Sequence, residues 1–483
     1  MHPILYEINT RVWRKRFGAA TQLLEVPDAY WQQLAALGVD YVWLMGVWQT
    51  GPNILNYALE DGLKQSYSRA LPDWTNEDII GSPYAIDRYV LHESLGQPGD
   101  LKELRAKLNG YGLKLMLDFV PNHFHAESSW IAQHPDVFLE AGKDQLAQDQ
   151  VTYYRPPNAG NRIFAHGKDP YFAAWQDTVQ VNYGAPAAHA FMQQQLLEVA
   201  EVCDAVRCDM AMLPLADVFR QTWGHVLGEQ SETLYDFWPS AIRHVKEKFP
   251  EFCLLAEVYW DREWTLQQQG FDFTYDKRLR DRLLEGNLGS VREHLYAPTD
   301  FQTKSARFLE NHDEDRILSV MPKAQAQAAA IATYSLPGLS FFYEGQWEGR
   351  RKRLPVQLGR QPEEFDPASY GLSTAGLALS QLPGLSPVDP QQVAFYDYLL
   401  QLLQQPALRN GRWELLTSSD HLLTWQWNTA EQQIQIRINY SPVPTEIHLS
   451  PPGDGHWQHF LGPPATDTTM VLGPYQWLVL ERR

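Results

Sequence analysis

The chain has 483 residues, 44% hydrophobic and 20% charged, a composition that excludes a disordered or low-complexity protein. Lys and Arg number 40 against 58 Asp and Glu, a formal charge of −18 that disfavours nucleic acid and anionic membrane surfaces as partners, because a polyanion is repelled at long range. Cys203, Cys208 and Cys253 have neither metal-ligand nor redox spacing, residues 2–7 lack the features of a secretory signal, and no apolar run is long enough to span a bilayer. Together these features predict a cytoplasmic protein held together without disulfides.

In chain order, short β-branched and aromatic runs alternate with amphipathic stretches, which predicts strands and helices around a parallel sheet. Eight strands are expected, at residues 39–48, 84–91, 114–120, 204–211, 253–259, 271–275, 305–311 and 339–343. The third, fifth and eighth are almost continuously hydrophobic, as strands covered on both faces must be. Helices are expected at 98–111, 187–203, 239–249, 323–336 and 392–405; in the first of these Leu101, Leu104, Leu108 and Tyr111 fall on one side. Eight strands separated by helices predict an α/β fold, a (β/α)₈ TIM barrel, whose chemistry should sit at the C-terminal ends of the strands.

Two segments break the alternation. Residues 124–182 are too long and polar for an ordinary βα loop and are expected to form an insertion domain after the third strand. From about 406 the helical period gives way to alternating runs (LLTWQWN, IQIRINY, WLVLERR), which predict a C-terminal antiparallel β domain over 406–483. The barrel would then comprise 1–123 and 183–405. Most of the 17 Trp, 23 Tyr and 20 Phe are expected in the core, and the remainder could stack on flat apolar ligand faces such as sugars.

Four expected strands end in polar clusters: Asp118, Asn122 and His123 in LDFVPNH; Arg207 and Asp209 in VRCDM; Glu257 in LLAEVYW; and Asn311, His312 and Asp313 in FLENHDEDR. A carboxylate closing a strand is often only a helix cap; four clusters in order are a stronger signal. Arg207 and Asp209 are two apart on a strand, so they project to one side. A fixed cation there would depress the Asp209 pKa and keep it ionised, as a nucleophile requires. Glu257 follows the apolar run 253–256, surroundings that raise a carboxyl pKa and suit a general acid. One ionised and one protonated carboxyl equip a site for retaining glycoside hydrolysis, and Asp313 is the candidate for a third, stabilising acid.

These clusters, in this order, resemble the conserved segments of the α-amylase superfamily of retaining α-glucoside-acting enzymes over essentially the whole chain. The resemblance implies that Asp209 is the nucleophile, Glu257 the acid/base and Asp313 the transition-state stabiliser. It implies substrate-binding roles for Arg207, His123 and His312, for Tyr84 in GSPYAIDRY as a sugar-stacking ring, and for Arg316, three residues after Asp313.

The sequence departs from the family pattern after the nucleophile, where Met212 and Leu213 replace a Lys-His pair used for a distal sugar and for calcium. Neither can donate a charged hydrogen bond or supply an oxygen ligand for calcium. With Asn122 left alone, no metal and no other cofactor are expected. The implied partner is an oligosaccharide or polysaccharide, an α-glucan or malto-oligosaccharide. Hydrolysis with or without transglycosylation, glucosyl transfer, phosphorolysis, isomerisation and a non-catalytic carbohydrate-binding scaffold all remain open at this point.

Overall fold

The computed structural model describes residues 2–52, 54–364, 373–417, 420–448, 457–461 and 469–482. Eight parallel strands close a barrel: β1 (Ile4–Asn9), β2 (Tyr41–Met45), β3 (Lys114–Phe119), β4 (Ala205–Cys208), β5 (Cys253–Ala256), β6 (Phe273–Tyr275), β7 (Ser305–Arg307) and β8 (Leu339–Tyr343). Closure runs through β1, which pairs with β2 on one side and β8 on the other, so that Glu7 stands between Trp43 and Tyr343.

Seven of the eight expected strands overlap barrel strands, and the exception is 84–91. Its ordered part, Ile86–Leu91, instead pairs antiparallel with Trp48–Thr50 outside the barrel. Between its buried ends half-buried Asp87 and Tyr89 alternate with exposed Arg88 and Val90, the mark of a strand with one wet face, whereas β2 is buried at every position. The true first strand, Ile4–Asn9, was not expected. It too is buried throughout, Glu7 included.

The barrel interior is filled by large rings. Tyr275 packs against Phe308 and Phe341 with centroids 5.0 and 5.6 Å apart, and Phe341 meets Trp43 at 5.9 Å, so the barrel is a packed floor and not a channel. Gly338, at φ 107°, opens β8 where any side chain would collide: an added Cβ would stand 2.1 Å from the Ser305 carbonyl oxygen.

Within the stretch after β3, His123–His125 pairs with Thr178–Gln180, and Tyr153–Tyr154 with Phe164–Ala165. Phe124, Phe138, Phe164 and Val179 from this stretch join the same apolar cluster as the barrel, which fixes the insertion firmly over the strand ends. The C-terminal strands β9 (Arg412–Leu415), β10 (Leu422–Asn428), β11 (Gln433–Asn439), β12 (Thr445–His448), β13 (Gln458–His459), β14 (Thr469–Leu472) and β15 (Trp477–Arg482) form two antiparallel sheets. One has the order β9-β10-β11-β15-β13, and the other pairs β12 with β14. Arg483, at the end of the expected run WLVLERR, lies outside the described residues. The sheet is tied to the barrel by Trp425 and Trp427, whose indole N–H groups donate to the Ser335 hydroxyl and carbonyl. Among the described residues no helix is long and apolar enough to cross a membrane.

Candidate active site

Asp209, Glu257 and Asp313 line one cavity of about 550 Å³ at the C-terminal face of the barrel. Tyr84 and His123 share its wall with Tyr57, Trp175 and Asp177, so the insertion closes one side of the pocket. The floor is built by register. Arg207 on β4 lies beside Asp118 on β3 and Leu255 on β5, and its side chain rises among Trp43, Tyr84 and Tyr275, 5.2, 5.2 and 5.8 Å from their centroids. From there the guanidinium donates to two acids at once. Its Nη1 is 2.7 Å from Asp209 Oδ1, and its Nη2 is 2.7 Å from Glu257 Oε2.

Glu257 is held from two further directions. The Met210 N–H donates to Oε2 at 2.7 Å and the Tyr259 hydroxyl to Oε1 at 2.8 Å. Met210 reaches this position with φ of 40°, a left-handed conformation that costs a non-glycine residue on the order of 1 kcal/mol. Burial raises the pKa of Glu257, Arg207 opposes that rise, and the negative charges of Asp209 and Asp313 reinforce it. Such a carboxyl suits proton donation. Asp209 differs from expectation. Its pKa is also raised, because burial beneath the pocket outweighs the Arg207 cation that was expected to depress it.

Asp313 is 53% exposed to the pocket and points one oxygen at His312 Nε2, 3.1 Å away. Partial desolvation by the pocket walls would raise its pKa, but the charges of His312, Arg207 and Arg353 win and hold it at about 2. Arg353 also donates to the Asp313 carbonyl. His312 is itself fully buried; Glu7 Oε1 lies 2.5 Å from its Nδ1 and the Tyr84 hydroxyl 2.8 Å from its Nε2. Burial would deprotonate it, yet Asp313 and Glu7 raise its pKa well above the ordinary imidazole value. Tyr84 stacks on this ring at 5.4 Å.

The other expected positions divide. Tyr84 and His123 reach the pocket wall, and burial holds His123 neutral by lowering its pKa to about 4. Arg207 and His312 lie beneath that wall and act on the acids. Arg316 is not brought to the pocket. Its guanidinium donates to Glu310 Oε2 at 2.9 Å and the Glu344 carbonyl at 2.8 Å, and lies over the Tyr343 ring at 4.1 Å, closed off from any ligand. Glu7 and Tyr259 were not anticipated. Tyr259 follows Glu257 by two residues, the spacing that already linked Arg207 to Asp209, and Glu7 is an acid within an apolar run, the signal used elsewhere.

The calcium implied for many superfamily members does not fit the residues at Asn122. Its amide oxygen accepts from Gln180 Nε2 at 2.9 Å, and the same nitrogen donates to the carbonyls of Asn122 and Val181, both at 3.0 Å. An uncharged amide thus already occupies the oxygens that face the junction. Met212 and Leu213 are buried, and among the described residues no group of three or more His, Cys, Asp or Glu could hold a metal ion.

The family model for the α-amylase catalytic domain matches residues 31–195, inside which lie β2, β3 and the insertion. α-Amylase 3 of Dictyoglomus thermophilum is 21% identical over 431 residues, 82% of this chain and 81% of that one. Over that segment the chain is similar to the α-amylase superfamily. It is also 23% identical to α-amylase MalA of Haloarcula japonica, over 94% of this chain but only 57% of that longer protein. The crystal structure of an α-amylase from Lactobacillus plantarum superimposes with a TM-score of 0.68 at 21% identity, covering 99% of this chain and 98% of the other, a likeness of fold.

Proposed function

We propose that this α-amylase-type hydrolase cleaves α-glucans or malto-oligosaccharides with retention, through a covalent glycosyl-Asp209 intermediate. The observation that carries the proposal is the clamp of one guanidinium on two carboxyls in a single pocket. Bonding the same Arg207 ties Asp209 and Glu257 together in one pocket, which supports the closely spaced carboxyl pair that a retaining enzyme uses.

Proton placement follows from the surroundings. With Glu257 protonated, its share of the Arg207 charge passes to Asp209, which is thereby kept ionised. Asp209 attacks the anomeric carbon as Glu257 gives its proton to the departing glycosidic oxygen. Asp313, held anionic by imidazolium His312, faces the positive charge that develops on the sugar. Glu257, now a carboxylate, then removes a proton from the water or sugar hydroxyl that releases the product. Water gives hydrolysis and a sugar hydroxyl gives transglycosylation. Tyr84 and Trp175 offer ring faces in the same pocket.

The test is product chromatography over time with maltose, maltoheptaose, glycogen, sucrose and trehalose, joined to mass spectrometry of Glu257→Gln treated with α-glucosyl fluoride. Fluoride leaves without a proton, and the variant lacks the base for the second step, so a glycosyl adduct should accumulate on Asp209. No adduct, or products of inverted configuration, would remove the covalent mechanism. Products from trehalose or sucrose alone would remove the α-glucan assignment.

A further inference from the structure

Away from the carbohydrate pocket, a second cavity of about 270 Å³ opens beside the segment that follows β1, and its walls carry Arg11, Arg14, Lys15 and His92 but no Asp or Glu. In a chain of charge −18 that grouping is unusual, because nearly every other buried cation described above has a carboxylate partner. Among the described residues Arg11, Arg14 and Lys15 form no ion pair. Asp118 and Asp78 act on Arg11 and Lys15 only at longer range.

The cations are instead propped by neutral carbonyl oxygens. Arg11 donates to Gly46 at 2.9 Å, to Trp48 at 3.0 Å and weakly to Ile80 at 3.4 Å. Arg14 Nη1 donates to Thr21 and Ala19 at 2.8 and 3.2 Å, and Lys15 Nζ to Gly359 at 2.6 Å. These bonds fix direction without neutralising charge, and they leave donors over. Arg14 is only 8% exposed, yet its Nε has no partner. A buried N–H of that kind is costly unless a ligand accepts from it. Lys15 feels its neighbour: burial lowers its pKa and the Arg14 charge lowers it further.

His92 adds another donor. The Ser94 N–H donates to its Nδ1 at 3.2 Å, which places the proton of the neutral ring on Nε2. Burial first, and the nearby Arg11 and Arg14 second, lower its pKa to about 4, so the ring is neutral at physiological pH. The wall therefore offers guanidinium, ammonium and imidazole N–H groups, a set matched to a ligand with several acceptor oxygens and negative charge.

We propose that this cavity binds a phosphate-type oxyanion, as free phosphate or as the phosphate group of a sugar phosphate, at a site separate from the catalytic pocket. The space exceeds what one halide ion fills and falls short of the range typical of large organic ligands. Bound there, the anion would accept from Arg14, Lys15 and His92 and neutralise the one concentration of unpaired positive charge described here.

Isothermal titration of the full-length protein with inorganic phosphate tests the site, at fixed ionic strength so that screening stays constant. One saturable site is expected. It should weaken about tenfold or more in Arg14→Gln and in Lys15→Gln, since each removes a charge-assisted donor. Lys15 is partly exposed, so its variant should fold even if Arg14→Gln does not, and glycosidase turnover should be unchanged in both. Saturating maltoheptaose on Asp209→Asn should not displace phosphate. Tighter binding of glucose 6-phosphate than of phosphate would assign the sugar phosphate as ligand, and equal or weaker binding the free ion. Absence of saturable binding, equal affinity for chloride, unchanged affinity in Lys15→Gln, or displacement by the oligosaccharide would each overturn the proposal.

Discussion

Arg207 and Arg316 are both 1% exposed, both pair with carboxylates and both lie over tyrosine rings, yet they serve different ends. Arg207 spends its donors on Asp209 and Glu257, which face an open pocket. Arg316 spends its own on Glu310 and a main-chain carbonyl, and Glu310 turns its other oxygen to the Ile317 N–H. Burial and an ion pair therefore do not mark a working residue. What separates the two is whether the carboxylates held by the cation line the open pocket.

The largest expected effect is on the open side of this comparison. Asp209→Asn should lower turnover on any substrate by on the order of 10⁴-fold, roughly 5.5 kcal/mol of transition-state stabilisation, with the melting temperature little changed. Near-normal turnover would end its assignment as nucleophile. On the closed side the effect should be on folding. Arg316→Met leaves Glu310 buried without its cation and should cost about 3–5 kcal/mol of stability by denaturant titration, while kcat of the folded fraction changes little. If the variant folds as well as wild type, or loses kcat as Asp209→Asn does, the contrast between the two arginines collapses.

Glu7 sits between these cases, buried but one bond away from the pocket. Glu7→Gln withdraws an anion from His312, so the His312 pKa should fall and Asp313 should lose its partner at a lower pH than in the wild type. Removal of one charge-assisted hydrogen bond, about 1.5–3 kcal/mol, predicts roughly a 10- to 100-fold loss of kcat/KM, with the alkaline limb of the pH profile displaced toward acid. The sign of the stability effect follows from the raised His312 pKa. Its contribution is complete below the ordinary imidazole value and is lost as pH rises through the raised one, so Glu7→Gln should bring that loss to lower pH. An unshifted profile would reduce Glu7 to a packing residue. The smallest effect is reserved for chelation. With the Gln180 amide filling the Asn122 site, EDTA should leave both activity and melting temperature unchanged, and a fall in either would show a metal elsewhere.

Much of this was written locally. Strand-end acids identify themselves because a (β/α)₈ barrel turns every C-terminal strand end toward one mouth, so Asp209, Glu257 and Asp313 could be named before their neighbours were known. The tail was legible where a strand has one wet face, and the alternation in β11 translates directly into burial. Strand β1 was not legible, since a short apolar run with a buried acid carries no periodicity, and 84–91 misled because its alternation belongs to a surface ladder. Nor could sequence say which arginine holds the pocket's acids, that burial rather than Arg207 sets the direction of the Asp209 pKa, that Gln180 fills the oxygens of Asn122 from 58 positions away, or that Arg11, Arg14, Lys15 and His92 share a cavity without an acid. Residue type and spacing determine what chemistry a strand end carries. Solvent access and the charges supplied by distant elements determine its protonation and its availability, and these exist only once the barrel has closed.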